Sequence, residues 1–206
     1  MDKRRGQFGR EAGSAAGRTA AAMRRLARLK RFEIMAAAPD ASGRGALGRA
    51  GCQISEITEE NLGRVGEFST AAEVDTLRGE LQGGHRGWYV LKDGQVAGYG
   101  FLAVAVAKSQ TVRGVVIYPG EAAGMHFYIR PEFRGRWIAS ALWLEIRAIA
   151  STVEGVHTVL GWTSWQNRAS RKLQAHSGMK PLGQVWVLEI LGRPVLRWAR
   201  GCKVKR

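Results

Sequence analysis

A chain of 206 residues with 32 Lys and Arg against 17 Asp and Glu, a formal net charge of +15, is long enough for one good-sized domain and an extension. That charge favours anionic partners: nucleic acid, an acidic membrane surface or a phosphate-bearing ligand. The longest apolar run, Phe101 to Ala107, is far short of a membrane span, and the first 50 residues lack an apolar core followed by a cleavage site, so a soluble, cytoplasmic protein is expected.

Residues 1–50 hold 12 Lys/Arg and 4 Asp/Glu, a net +8, and few large apolar groups. They are expected to form a basic, partly disordered N-terminal arm. Met23, Leu26, Leu29 and Phe32 step every three residues, which predicts a helix over 20–35. Such an arm serves nucleic acid or an anionic surface, or is simply a solvated Arg-rich segment. Residues 51–206 are expected to form the folded domain. Cys52 and Cys202 have no metal-like spacing and read as reduced thiols, and no metal is expected.

From Gln53 the elements follow in order. Gln53 to Ile57 has strand alternation, and Thr58 opens a weakly patterned helical region that runs to about Leu81. Gly83-Gly84 breaks it. Trp88 to Leu91 and Gln95 to Val104 are strands joined at Asp93-Gly94, a strong local hairpin signal. Val112 to Tyr118 predicts a further strand.

Residues 125–142 combine three features. Met125, Phe127 and Ile129 alternate with His126 and Tyr128 as a strand does, and Pro131 ends the ladder. Ile138, Ala141, Leu142, Ile146 and Ile149 then recur at helical spacing. A helix opening there points its first N–H groups at whatever lies off the strand tip, and Arg134 and Arg136 add positive charge. The unit is either a phosphate site or an ordinary strand–turn–helix with a solvated Arg-Gly-Arg turn. Beyond it, Val156 to Trp162 predicts a strand and Asn167 to His176 a helix closed by Gly178. Val185 to Leu191 and Val195 to Trp198 predict two last strands. An order that mixes strands and helices in this way fits an α/β sheet flanked by helices.

These pieces resemble the GNAT superfamily of acyl-CoA-dependent N-acyltransferases. Trp88 to Tyr99 resembles its central hairpin. Arg134-Gly135-Arg136-Trp137-Ile138-Ala139 after the strand resembles its acyl-CoA signature, R/Q-x-x-G-x-G/A. Asn167-Arg168-Ala169-Ser170, followed by Ser177-Gly178-Met179, resembles its second motif, and Gly183 to Arg193 its closing hairpin. The resemblance implies a mixed, mostly antiparallel sheet splayed between its fourth and fifth strands and flanked by about four helices. It also implies transfer of an acetyl or other short acyl group from acetyl-CoA, or another acyl-CoA, to a primary amine on a small molecule or protein. By the same resemblance Arg134, Gly135, Arg136, Trp137, Ile138, Ala139 and Ser140 would hold the pyrophosphate. Phe127, Tyr128 and Ile129 would hold the pantetheine, and Asn167 and Ser170 the second wall. A homodimer is compatible with it.

This chain departs from the pattern at three places. Trp137 stands where the signature has its first glycine. Gln174 stands where many members carry a tyrosine that reprotonates the thiolate. No glutamate base falls in register, which leaves Tyr128, His126 and Glu121 as the candidate catalytic residues. His126 either takes the amine's proton through water or fills the strand's second face. The alternatives are a degenerate module that binds CoA or a protein without chemistry, and a nucleic-acid-associated protein acting through its arm.

Overall fold

The computed structural model describes residues 27–105, 107–112, 114–135, 137–191 and 193–202. Ala27–Ala37 forms strand β1. A 3-10 turn over Ala41–Gly43 and the one-turn helix α1 (Ala46–Arg49) lead to β2 (Gln53–Ile57), and a 3-10 turn over Leu62–Glu67 to helix α2 (Ala71–Gln82). β3 (Arg86–Lys92) and β4 (Gln95–Ala105) form a hairpin, and β5 (Gln110–Val112) and β6 (Val115–Ile117) a second, small one. β7 (Glu121–Ile129) passes through a 3-10 turn at Pro131–Phe133 to helix α3 (Ile138–Ala150). β8 (Thr158–Ser164), helix α4 (Arg168–His176), β9 (Lys180–Ile190) and β10 (Arg193–Arg200) follow.

Eight strands make one sheet in the order β10-β9-β1-β8-β7-β4-β3-β2. Every pair in it is antiparallel except β7 with β8. Asp93 and Gly94 take φ of 50° and 77°, the left-handed pair that a two-residue hairpin turn needs. Thr70, not Thr58, caps the helix of the 58–81 region: its side chain accepts from the N–H of Glu73, while the Leu62–Glu67 stretch is 3-10. The single strand expected over 112–118 is instead the β5–β6 hairpin, because Gly114 at φ 86° turns the chain.

The largest correction concerns the N-terminal quarter. The helix expected over 20–35 is, from residue 27 onward, a strand in the interior of the sheet; residues 20–26 lie outside the described residues. β1 bonds β8 on one edge and β9 on the other. Ile34 and Met35 are buried on opposite faces, Ile34 with Val115 and Val185, Met35 with Trp143 and Met179. Two-sided burial and two full ladders outweigh a weak three-residue spacing, since strand formation depends more on neighbours than on intrinsic preference. The sheet therefore takes in residues upstream of Gln53, where the sequence reading begins it.

Two apolar layers sandwich the sheet. On one face α1 and α3 cover Val90, Ala97, Leu102 and Val159. On the other, α2 and the 3-10 turn before it cover Tyr89, Tyr99, Phe101 and Leu160. Tyr89 and Tyr99 are fully enclosed, and burial above all pushes both phenols up to about 12, with Glu67 near the first and Glu73 near the second adding to it. Tyr89 still donates to the carbonyl of Asn61 at 2.9 Å. An unfolded chain releases these protons near pH 10 and the folded one near 12, so stability must fall as pH rises through that interval. Urea unfolding between pH 10 and 12 should lose roughly 1–3 kcal/mol per tyrosine. Tyr99→Phe should flatten the fall, and a flat wild-type profile would contradict the assignment.

Candidate active site

β7 and β8 pair for only four residues, Glu121–Gly124 against Thr158–Gly161, and then part. Counted from the β2 edge, the fork lies between the fourth and fifth strands. One side chain packs against it. The Trp143 indole, 1% exposed, projects from α3 onto the two glycines at the fork. A Cβ on Gly124 would stand 2.2 Å from the ring and one on Gly161 2.9 Å from it. Trp143 Nε1 donates to Met179 Sδ at 3.1 Å, and the Phe127 ring meets the indole edge-on at 4.5 Å. Glycine inside a strand is the mark of such a close approach.

Beyond the fork opens a cavity of about 1040 Å³ that passes through the sheet. On the α3 face its walls include Phe127, Ile129, Ser140, Ser170 and Gln174; on the opposite face they include Phe32, Val115, Trp162 and Val185. Lys30 and Glu189 pair at 2.7 Å on its rim.

The α3 mouth is built as its sequence predicts, with a twist at Trp137. The first helical hydrogen bond runs from Ala141 N–H to Trp137 carbonyl, so the N–H groups of Ile138, Ala139 and Ser140 have no partner within the helix. No side chain caps this end. Arg134, Gly135, Trp137, Ile138, Ala139 and Ser140 all line the cavity, whereas Arg136 lies outside the described residues. Gly135 and Trp137 take φ of 74° and 64°. Trp137 thus keeps the left-handed backbone that the glycine of the motif adopts freely, and its ring, 74% exposed, stands off the mouth instead of plugging it.

The second wall is α4. Asn167 caps it, its Oδ1 accepting from Ser170 N–H at 3.0 Å, and both residues line the cavity. Gln174, 5% exposed, lines it too, and its Oε1 is buried with no hydrogen-bond partner. An amide oxygen so placed is offered to a donor on whatever occupies the slot. Unsatisfied helix N–H groups, a cationic rim and this orphaned acceptor fit an acyl-CoA, with its anionic phosphates and its amide-bearing arm.

On the α2 face the strand alternation expected for 125–129 fails. The β4–β7 register slips between Tyr99 and Phe101, so Gly100 faces two residues, His126 and Phe127. His126 takes φ 52°. This β-bulge turns His126 to the side that Met125 and Tyr128 occupy, while Phe127 and Ile129 face α3. The His126 imidazole lies edge-on to Phe101, with ring centres 5.9 Å apart, and its Nε2 is 2.7 Å from Glu80 Oε1. Tyr128 stacks between Phe68 at 5.9 Å and Tyr99 at 5.6 Å. His126 and Tyr128 line the cavity together. Glu121 does not join them: it sits at the opposite end of β7, where its carboxylate accepts from Tyr118 N–H at 2.8 Å. Sequence reasoning missed Trp143, the glycine pair and Glu80. Gly124, a glycine just before the predicted strand of 125–129, is the signal that could have found the close approach of Trp143.

A model of the Acetyltransferase (GNAT) family matches residues 54–179. No curated protein matches the chain. Solved structures similar in fold include a conserved protein of unknown function from Staphylococcus epidermidis, at 11% identity and TM-score 0.50, covering 80% of this chain and 63% of that one. A tandem GNAT protein from the clavulanic acid biosynthesis pathway gives 16% identity and TM-score 0.53, over 86% of this chain and 58% of that one. A GCN5-related glucosamine N-acetyltransferase region of a fungal multi-domain β-N-acetylglucosaminidase gives 10% and 0.58, over 83% and 22%. This chain spans less than two thirds of each of them.

Two substitutions test the geometry. Gly124→Ala forces a methyl into the buried Trp143 and Phe127 rings, and denaturant unfolding should record a loss of roughly 1–3 kcal/mol. Trp137→Gly releases a non-glycine residue from the left-handed region, and should raise stability by about 1 kcal/mol in the same assay. A neutral result for the first would mean that the wedge is not tight.

Proposed function

Because the chain belongs to the GNAT acetyltransferase family, we propose that it transfers an acetyl or other short acyl group from acyl-CoA to a primary amine. The observation that carries this reading is a single cavity piercing the sheet, with a cationic helix mouth on one face and His126 and Tyr128 on the other. The acyl donor enters on the α3–α4 face. The N–H groups of Ile138 to Ser140 receive its pyrophosphate, with Arg134 beside them. Its amide arm lies in the slot along the Phe127–Ile129 backbone, between β7 and α4, within reach of Gln174. The amine approaches from the opposite face, through walls contributed by Phe32, Val115, Trp162 and Val185.

Holding the amine and the thioester on the two sides of one fork supplies the proximity on which a direct attack depends. Gln174 cannot give up a proton, so Tyr128 is the cavity-lining phenol nearest the bulge available to return one to the thiolate. The same glutamine favours a second reading, a protein that binds CoA without transferring its acyl group.

Titration calorimetry with acetyl-CoA and CoA, followed by thiol release across a panel of amines, separates the two. Binding together with turnover of any amine is expected. Binding with no more than slow hydrolysis would decide for the binding module, and no heat at millimolar ligand would remove both.

A further inference from the structure

We infer that Arg197 selects the acceptor: the amine taken by this site carries an oxyanion, a carboxylate or phosphate, at the far end of an apolar body. The inference rests on the transfer function proposed above. The strand registers place the residues. Lys30 stands opposite Val187, and Val187 opposite Arg197, so the three form one row across β1, β9 and β10. Residues paired in this way share a face of the sheet, and all three line the cavity. Two residues along, Phe32 stands opposite Val185 on the same face, and both line it as well. A Cβ on Gly114, in the turn of the β5–β6 hairpin, would stand 2.8 Å from Nη1 of Arg197 and 3.0 Å from its Cζ. The guanidinium therefore lies against that turn, which is itself part of the cavity wall.

Charge decides what this wall accepts. Among the described residues Glu189 is the only carboxylate that lines the cavity, and Lys30 holds it at 2.7 Å. No carboxylate of the described residues pairs with Arg197. Two of the three charges on this wall cancel, and one cation is left over. An acceptor with several ammonium groups would bring like charge to it, whereas an oxyanion gives the guanidinium fork a two-point partner.

Position decides where the oxyanion sits in the substrate. Arg197 springs from the third strand beyond β8, about 14 Å across the sheet at ordinary strand spacing. Its side chain covers part of that span. The rest, up to the fork, is walled by Phe32, Val115, Trp162, Val185 and Val187. The oxyanion is thus remote from the reacting nitrogen, not on the neighbouring carbon, and the stretch between them is apolar.

Four eight-carbon amines test this with the full-length protein and acetyl-CoA: ω-aminooctanoate, its α-amino isomer, octylamine and octane-α,ω-diamine. Thiol release should give a kcat/KM for ω-aminooctanoate on the order of 10- to 100-fold above each of the others. Arg197→Gln should remove that lead, and Arg197→Glu should hand it to the diamine. A wild type that does not favour ω-aminooctanoate, or that acylates other amines and none of these, would overturn the inference. So would an Arg197→Gln protein that keeps the lead. If no amine at all is acylated, the transfer function falls instead, and titration of ω-aminooctanoate into the protein with CoA present decides the Arg197 assignment. A loss of affinity of about tenfold in Arg197→Gln upholds it, and no loss, or no binding to the wild type, overturns it.

Discussion

The Trp143 indole, seated on two glycines, packs at the point where this sheet forks. β7 and β8 are in register up to Gly124 and Gly161, and two residues further on the His126 bulge bends β7 off a longer ladder. The ring occupies the space that two Cβ atoms would fill, and its hydrogen bond to Met179 and its contact with Phe127 hold it there. Trp143 stands in the second turn of α3, whose first turn offers its unpaired N–H groups to the same opening. One helix therefore both packs on the fork and supplies the anion-binding end of the gap. Its placement against β7 and α1, with Ile138, Leu142 and Ile146 buried, fixes both at once.

Two of the three departures from the family pattern, Trp137 and Gln174, have different structural meanings. At Trp137 the backbone follows the pattern and only the side chain differs: φ is that of a glycine, and the ring is turned outward. The site keeps its shape at the cost of local strain, on the order of 1–3 kcal/mol for a non-glycine residue in that region. At Gln174 the chemistry itself differs. A buried amide cannot act as an acid, but it presents an acceptor that needs a partner, which shifts the role of this position from proton transfer to recognition.

Features set by neighbours in sequence were legible, and those set across space were not. The Asp93-Gly94 hairpin, the Asn167 cap, the Gly178 stop and the helix after Pro131 each depend on a few adjacent residues, and each is where the pattern puts it. β1 was misread because its Leu29 and Phe32 spacing suits a helix, while the ladders that make it a strand come from residues beyond 158. The alternation of 125–129 hid the bulge, because an extra residue in a strand is visible only against its partner. Glu80 belonged to a weakly patterned helix and carried no local mark. Its meaning comes from α2 packing over β4 and β7.

The place of β1 has a consequence for how the protein is made. This strand leaves the ribosome well before both of its neighbours in the sheet, β8 and β9. Until they emerge, Ile34 and Met35 have no ladder to join and both edges of the strand stay open to intermolecular pairing. Closing the sheet means joining segments separated by most of the chain, a step that topology makes slow. The nascent β1 is thus the stretch most in need of shelter during synthesis, and its basic residues, Arg28, Lys30 and Arg31, are the kind of charged guard that keeps an exposed edge from aggregating.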